Sequence, residues 1–173
     1  MRWMLLALTL FTFSLPSGAE VRDPHSHFFM SKLGDFKDEL ATARQEGKQG
    51  VLLMFEMEDC PFCARMKSTV LNQSPVQDYF RQHFLIYALD VKGDTPMVDF
   101  TGKDTTEKAF ALEQRARATP VFIFFDLEGK PIARFTGATQ TMDEFLLLGR
   151  YVVDGVYKQN IPFNVYKKQG KAP

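Results

Sequence analysis

The chain has 173 residues, which fits one domain of the usual size of roughly 100–200 residues. Its 21 basic residues balance its 21 acidic ones, so no net field draws it to nucleic acid or another polyanion. Apolar residues make up 45% of the chain and include 17 Phe, enough for a sizeable core and too many for a disordered or collagen-like chain.

Residues 1–19 read as a secretory signal. Arg2 gives a basic start, Trp3–Leu15 is an apolar run broken by Thr9, Thr12 and Ser14, and Pro16-Ser17-Gly18-Ala19 offers small residues to a signal peptidase. Cleavage is expected after Ala19. The competing reading, an uncleaved anchor, asks for about 20 spanning residues, more than this run supplies. The expected mature domain is therefore 20–173, exported and without stable membrane insertion.

Glu20–Ser31 reads as an irregular lead. Leu33–Lys48 follows as a helix, with Phe36, Leu40 and Ala43 on one stripe. Val51–Met57 is an almost continuous apolar run, as in a strand buried on both faces. Cys60 comes next, and a helix is expected from Pro61 to about Leu71, because Pro suits a first helical turn. A further helix over Val76–His83 leads into a second strand, Phe84–Val91. The polar connection Lys92–Asp104 precedes a helix at Thr106–Arg115. Val121–Asp126 and Pro131–Phe135 flank the turn Glu128-Gly129-Lys130 as a hairpin. Met142–Tyr157 is a last helix, with Phe145, Leu148 and Val152 on one face, and Ile161–Pro173 is expected to be an exposed basic tail. Alternating helices and strands predict an α/β domain with a parallel sheet, to which the hairpin adds an antiparallel edge.

Cys60 and Cys63 are the two cysteines of the chain, in Cys60-Pro61-Phe62-Cys63. A bridge across so short a loop removes little chain entropy, so the spacing favours chemistry over stabilisation. A helix opening at Cys60 puts its sulfur at the positive end of the helix dipole, which favours the thiolate. Cys63 lies about one turn on, on the same face. Cys60 is expected to be exposed and to attack a partner disulfide; Cys63 is expected to be more buried and to resolve the mixed disulfide. Thr119-Pro120 precedes a strand and, taken alone, reads as an ordinary trans Pro that opens it; downstream of the Cys60–Cys63 strand–helix unit it becomes a candidate cis peptide whose backbone can pair with an extended client. Pro61 and Phe62 complete the expected client-facing set.

The segments LLMFEMEDCPFCARM and ATPVFIFFD, with the hairpin ending in Gly137, resemble the thioredoxin superfamily over about Leu33–Tyr157. On MFEMEDCPFCARM and the exported single-domain layout, the chain is most similar to exported SoxW-type thioredoxin-related proteins, associated with bacterial sulfur oxidation. The resemblance implies a thioredoxin-like fold, a central mixed sheet flanked by helices. It also implies a periplasmic thiol–disulfide oxidoreductase that reduces client disulfides. No cofactor is expected beyond the Cys60–Cys63 disulfide, and a membrane thiol electron donor is the expected partner that keeps it reduced.

The chain departs from that pattern in three places. Pro61-Phe62 stands where thioredoxin has Gly-Pro and glutaredoxins usually have Pro-Tyr. Met54 occupies the position of thioredoxin's buried Asp; Glu56, two residues on and on the same strand face, is either a replacement proton carrier or a solvated strand-end residue. The Lys92–Asp104 connection is longer than a minimal thioredoxin needs, as a partner surface or a neutral insertion.

Two alternatives of other classes stand beside the redox reading. Cys60 and Cys63 supply two of the four ligands zinc wants, with His25, His27 and His83 elsewhere, and Met57 and Met66 could serve copper(I) delivery. A non-catalytic binding protein is the other, since fold does not fix function. Covalent haem attachment is excluded because Ala64, not His, follows Cys63. Glu56, Glu58 and Asp59 precede Cys60 and oppose a thiolate, while Arg65 and Lys67 partly offset them. This balance predicts a reductant or exchanger, not a strong oxidant.

Overall fold

The structure, a computed structural model, describes residues 20–31 and 34–169; the signal sequence expected over residues 1–19 lies outside them, as do Leu33 and Lys171. In chain order the helices and strands are α1 (Pro24–His27), α2 (Phe36–Gln45), β1 (Gly50–Glu56), α3 (Pro61–Thr69), α4 (Ser74–His83), β2 (Phe84–Asp90), β3 (Pro96–Val98), β4 (Asp104–Thr106), α5 (Glu107–Glu113), β5 (Val121–Phe125), β6 (Pro131–Thr136), α6 (Met142–Val153) and α7 (Phe163–Lys168).

The run of apolar residues in β1 is explained by cover on both faces. Leu52 and Met54 point into a cluster with Met66 of α3, Phe80 of α4 and Phe145 of α6. Val51, Leu53 and Phe55 point the other way, to Phe36 and Leu40 of α2 and Phe110 of α5. Each of these five strand residues is 0% exposed, which gives two helical layers around one sheet.

The main sheet runs β2-β1-β5-β6. β1 and β2 are parallel, from Gly50 opposite Phe84 to Glu56 opposite Asp90. β5 is antiparallel to both β1 and β6. This is the expected thioredoxin-like fold with a mixed sheet, but parallel pairing is confined to one strand pair. After β2 the chain crosses the α2 face through β3, β4 and α5, and returns on the far side of β1 running in reverse. β6 is an edge, opened by Pro131, with a register shift where it pairs Phe124 and Phe125 and with the Arg134 guanidinium donating to the Gln114 carbonyl.

Four expectations are corrected. The lead contains α1, capped by the Asp23 side chain, and buries Phe28 and Phe29; its start is fastened where Ser74 N donates to Glu20 O at 2.9 Å and Arg22 N to Asn72 O at 2.8 Å. α6 stops at Val153, and Gly155, at φ 68°, turns the chain into a short 3-10 turn at Val156–Gln159. The expected exposed tail contains α7, which buries Tyr166 beside Tyr151 and pairs Lys167 with Glu144 at 2.6 Å. The Lys92–Asp104 connection is ordered as β3 and the start of β4, an antiparallel pair of its own.

Asp99 organises that hairpin. Its carboxylate accepts from Thr101 N at 2.7 Å, Thr101 Oγ1 at 2.6 Å and Lys103 N at 3.0 Å, and next to it Phe100 packs on Phe125 with ring centroids 4.5 Å apart. Burial works against the charge on Asp99, but these donors outweigh it and hold the carboxyl below the ordinary carboxylate value. A lowered folded-state pKa stabilises fully above the unfolded value and fades as pH falls through the folded one. Asp99→Ala is therefore expected to cost about 1–3 kcal/mol at neutral pH in urea unfolding, with the gap to the parent narrowing in acid. A gap constant through the acid range would remove the ionised carboxylate from this account.

Candidate active site

The end of β1 and the start of α3 set the position of both cysteines. After Glu56 the chain turns through Met57–Asp59, closed by Cys60 N donating to Met57 O at 3.2 Å. Cys60 is extended, at φ −99° and ψ 102°, and is the N-cap of α3, with Pro61 as the first helical residue. Its Sγ accepts from Cys63 N at 3.1 Å, so sulfur fills the place that a Ser or Asp oxygen usually takes at a helix start. Cys60 and Cys63 form a disulfide, with Cα atoms 5.2 Å apart.

The expected difference in exposure is not found: Cys60 is 4% and Cys63 3% exposed. The capping geometry turns the Cys60 sulfur inward, into the cluster that holds Met54 and Met66. Phe62, at 57% exposed, takes the tip instead. The Arg65 guanidinium lies 5.8 Å from the centre of the Phe62 ring and donates to the Thr139 carbonyl at 3.3 Å. Thr139 is itself buried and donates to Met66 Sδ at 3.6 Å.

Thr119-Pro120 is a cis peptide, as expected from the sequence. Val121 pairs with Phe55, which brings the Thr119-Pro120 step to the end of the sheet from which the Cys60 loop departs. The Pro120 carbonyl is taken by Gly137 N at 2.8 Å, and Thr119 Oγ1 is buried without a hydrogen-bond partner among the described residues.

Beside the disulfide lies an opening of about 380 Å³, walled by Cys60 and Cys63 together with Glu56, Glu58, Lys67 and Asp90. Glu56 is neither a lone carboxylate nor a simply solvated one. Its two oxygens receive Lys67 Nζ at 2.7 and 2.8 Å, and Lys67 Nζ also stands 5.8 Å from the Phe29 ring centre. Met54 is fully buried behind it. Sequence reasoning saw Lys67 only as a nearby charge. Its spacing of four residues from Cys63 put it on the same helix face and was the available signal for its place beside Glu56.

Among the described residues no group of three or more His, Cys, Asp or Glu side chains could hold a metal ion. His25 and His27 belong to α1, and His83 packs against Tyr79 with ring centres 4.8 Å apart. The arrangement suits sulfur chemistry instead: opening the disulfide leaves one sulfur at a helix N-terminus, on a backbone N–H donor, and a second one turn away.

Residues 36–152 match the family described as a thioredoxin-like domain. Among solved structures, the chain is similar to a thioredoxin-fold protein from Helicobacter pylori, with 19% identity, a TM-score of 0.55 and coverage of 76% of this chain and 92% of that one. A thioredoxin from Thermus thermophilus gives 25% identity, a TM-score of 0.53 and coverage of 69% and 84%. A candidate disulphide-isomerase from Bacteroides thetaiotaomicron gives 21%, 0.52, and 75% and 94%. No functionally curated protein matches the sequence.

Glu56→Gln removes the charge that faces Lys67 at the wall shared with Cys63. If Glu56 carries the proton of Cys63, the variant is expected to slow the resolving step by roughly a factor of 10 near neutral pH, read by quenching the mixed disulfide over time. An unchanged pH–rate profile would leave Glu56 as a structural partner of Lys67 only.

Proposed function

Because the chain belongs to the thioredoxin-like domain family, and because its two cysteines close a disulfide across the first turn of α3, we propose that it is a thiol–disulfide oxidoreductase that reduces disulfides in client proteins. The observation that carries this reading is Cys60 Sγ held as the acceptor of Cys63 N at the helix start.

In the reduced protein the Cys60 thiolate attacks one sulfur of a client disulfide. A Cys60–client bond forms, the client S–S bond breaks, and the first client sulfur leaves as a thiolate. Cys63 then gives up its proton to Glu56 and attacks Cys60 Sγ. The intramolecular disulfide forms, and the second client sulfur leaves. Two electrons pass from the protein dithiol to the client, and the two client thiolates take up protons. Thr119 and Pro120, with Pro61 and Phe62 at the tip, are the client-facing residues in this scheme.

Charge argues for reduction over oxidation. A strong oxidant needs a highly stabilised thiolate. Here Glu58 and Asp59 stand exposed ahead of Cys60, while Lys67 is already engaged by Glu56. The expected potential lies at roughly −200 to −270 mV, so an oxidising compartment would keep the disulfide closed unless a membrane thiol donor supplied electrons. We place the protein in the periplasm after cleavage at Ala19, in the manner of SoxW-type proteins; sequencing the exported chain should find Glu20 at its start.

Serine variants test the roles. Cys63→Ser is expected to accumulate mixed disulfides with clients and Cys60→Ser to form none; equal trapping by both would reverse or void the assignment. Equilibration of the parent protein against glutathione buffers tests the direction, and a potential near about −120 mV, that of a dedicated oxidant, would make disulfide donation the better account.

A further inference from the structure

Resting on the oxidoreductase reading, we propose that the opening beside the disulfide is a specificity subsite that favours clients whose reacting cysteine is flanked by Lys or Arg and disfavours those flanked by Asp or Glu. Both sulfur-bearing residues wall the opening, so a residue next to a client cysteine bonded to Cys60 is brought to its mouth. Its volume, about 380 Å³, is at the small end of pockets of roughly 300–1,000 Å³ that take small groups.

The wall is electrically one-sided. It carries three carboxylates, Glu56, Glu58 and Asp90, against one ammonium, Lys67. That ammonium is occupied, held by both oxygens of Glu56 at 2.7 and 2.8 Å. Glu58 is exposed, and among the described residues no ion pair engages Glu58 or Asp90. Asp90 receives Lys92 only through the backbone N–H, at 2.9 Å. The other cation near the cysteines, Arg65, is turned to the Thr139 carbonyl and the Phe62 ring. Asp59, exposed and adjacent to Cys60, adds to the same field. A cationic flank therefore meets two carboxylates without ion-pair partners, and an acidic flank meets repulsion in a partly enclosed site, where charges are less screened than on open surface.

The test uses the mature chain, reduced beforehand with dithiothreitol and freed of it. It is mixed with three symmetric peptide disulfides, (acetyl-Ala-Cys-Xaa-Ala-amide)₂, in which Xaa is Lys, Gln or Glu, and released peptide thiol is followed by chromatography. At low ionic strength the Lys peptide is expected to react about tenfold faster than the Glu peptide, with Gln between, and the ratio is expected to collapse toward one in about 1 M salt. Glu58→Gln combined with Asp90→Asn is expected to bring the Lys-to-Glu ratio down to about twofold. Asp38→Asn combined with Glu113→Gln, an equal change in net charge at exposed positions elsewhere, is expected to retain the tenfold ratio. Equal rates for the three peptides, or a ratio that survives the Glu58 and Asp90 changes, would overturn the subsite and leave the oxidoreductase reading standing. Failure to reduce any of the three would overturn both.

Discussion

Five consecutive side chains of β1, Val51 to Phe55, are shut off from water, and no single apolar layer can do that to a strand whose side chains alternate. Two layers are required, and the rest of the chain is arranged to supply them. Leu52 and Met54 need α3, α4 and α6; Val51, Leu53 and Phe55 need α2, α5 and the hairpin residues Met97 and Phe100. Burial of an aliphatic or aromatic side chain is worth about 1.5–3 kcal/mol, so this strand alone concentrates a large part of the driving force for folding. The strand ends where the cysteine loop begins, and the most constrained part of the molecule thereby fixes its reactive part.

At that boundary one sulfur serves two purposes. The first turn of a helix leaves N–H groups without helical partners, and Cys60 Sγ accepts the one from Cys63. The same sulfur forms the disulfide. Opening that bond need not cost the helix its cap, because a thiolate accepts from the same donor. Glu56, the last residue of β1, and Lys67, in the last turn of α3, tie strand to helix behind the cysteines through an ion pair. Its side chains are only 18% and 21% exposed, which shields it more than a surface pair.

Much of this was legible in the sequence, for identifiable reasons. β1, β2 and β5 declare themselves as dense apolar runs, and Cys60-Pro61 marks a helix start because Pro tolerates a first turn. The cis step at Thr119-Pro120 was anticipated from its company, a Pro before a buried strand downstream of the Cys60–Cys63 strand–helix unit; the strand alone would have suggested an ordinary trans Pro. What escaped depends on contacts between distant segments. The reversed direction of β5 is a matter of which side of β1 the chain returns to, and local pattern does not encode that choice. The polar composition of residues 92–104 hid an ordered hairpin, because its organiser is a carboxylate, Asp99, bonded to its own neighbours. α1 and α7 are too short for periodicity to reveal; they persist because Phe28, Phe29 and Tyr166 dock on the core. The burial of Cys60 follows from its backbone angles, and the Glu56–Lys67 pair from the packing of α3 on β1; neither is a property of spacing alone.

β6 is one of the two edge strands of the main sheet. A bare edge strand is a template for further strands. β6 is a poor template: Pro131 opens it without an N–H to offer, its register with β5 shifts at Phe124 and Phe125, and Arg134 places a charge along it, anchored to the Gln114 carbonyl. Strand-by-strand polymerisation is discouraged at this edge of the sheet. On the proposed reading, in which extended clients pair with the backbone near Thr119, the protein offers backbone at one end of the sheet while its β6 edge stays a poor template for self-association.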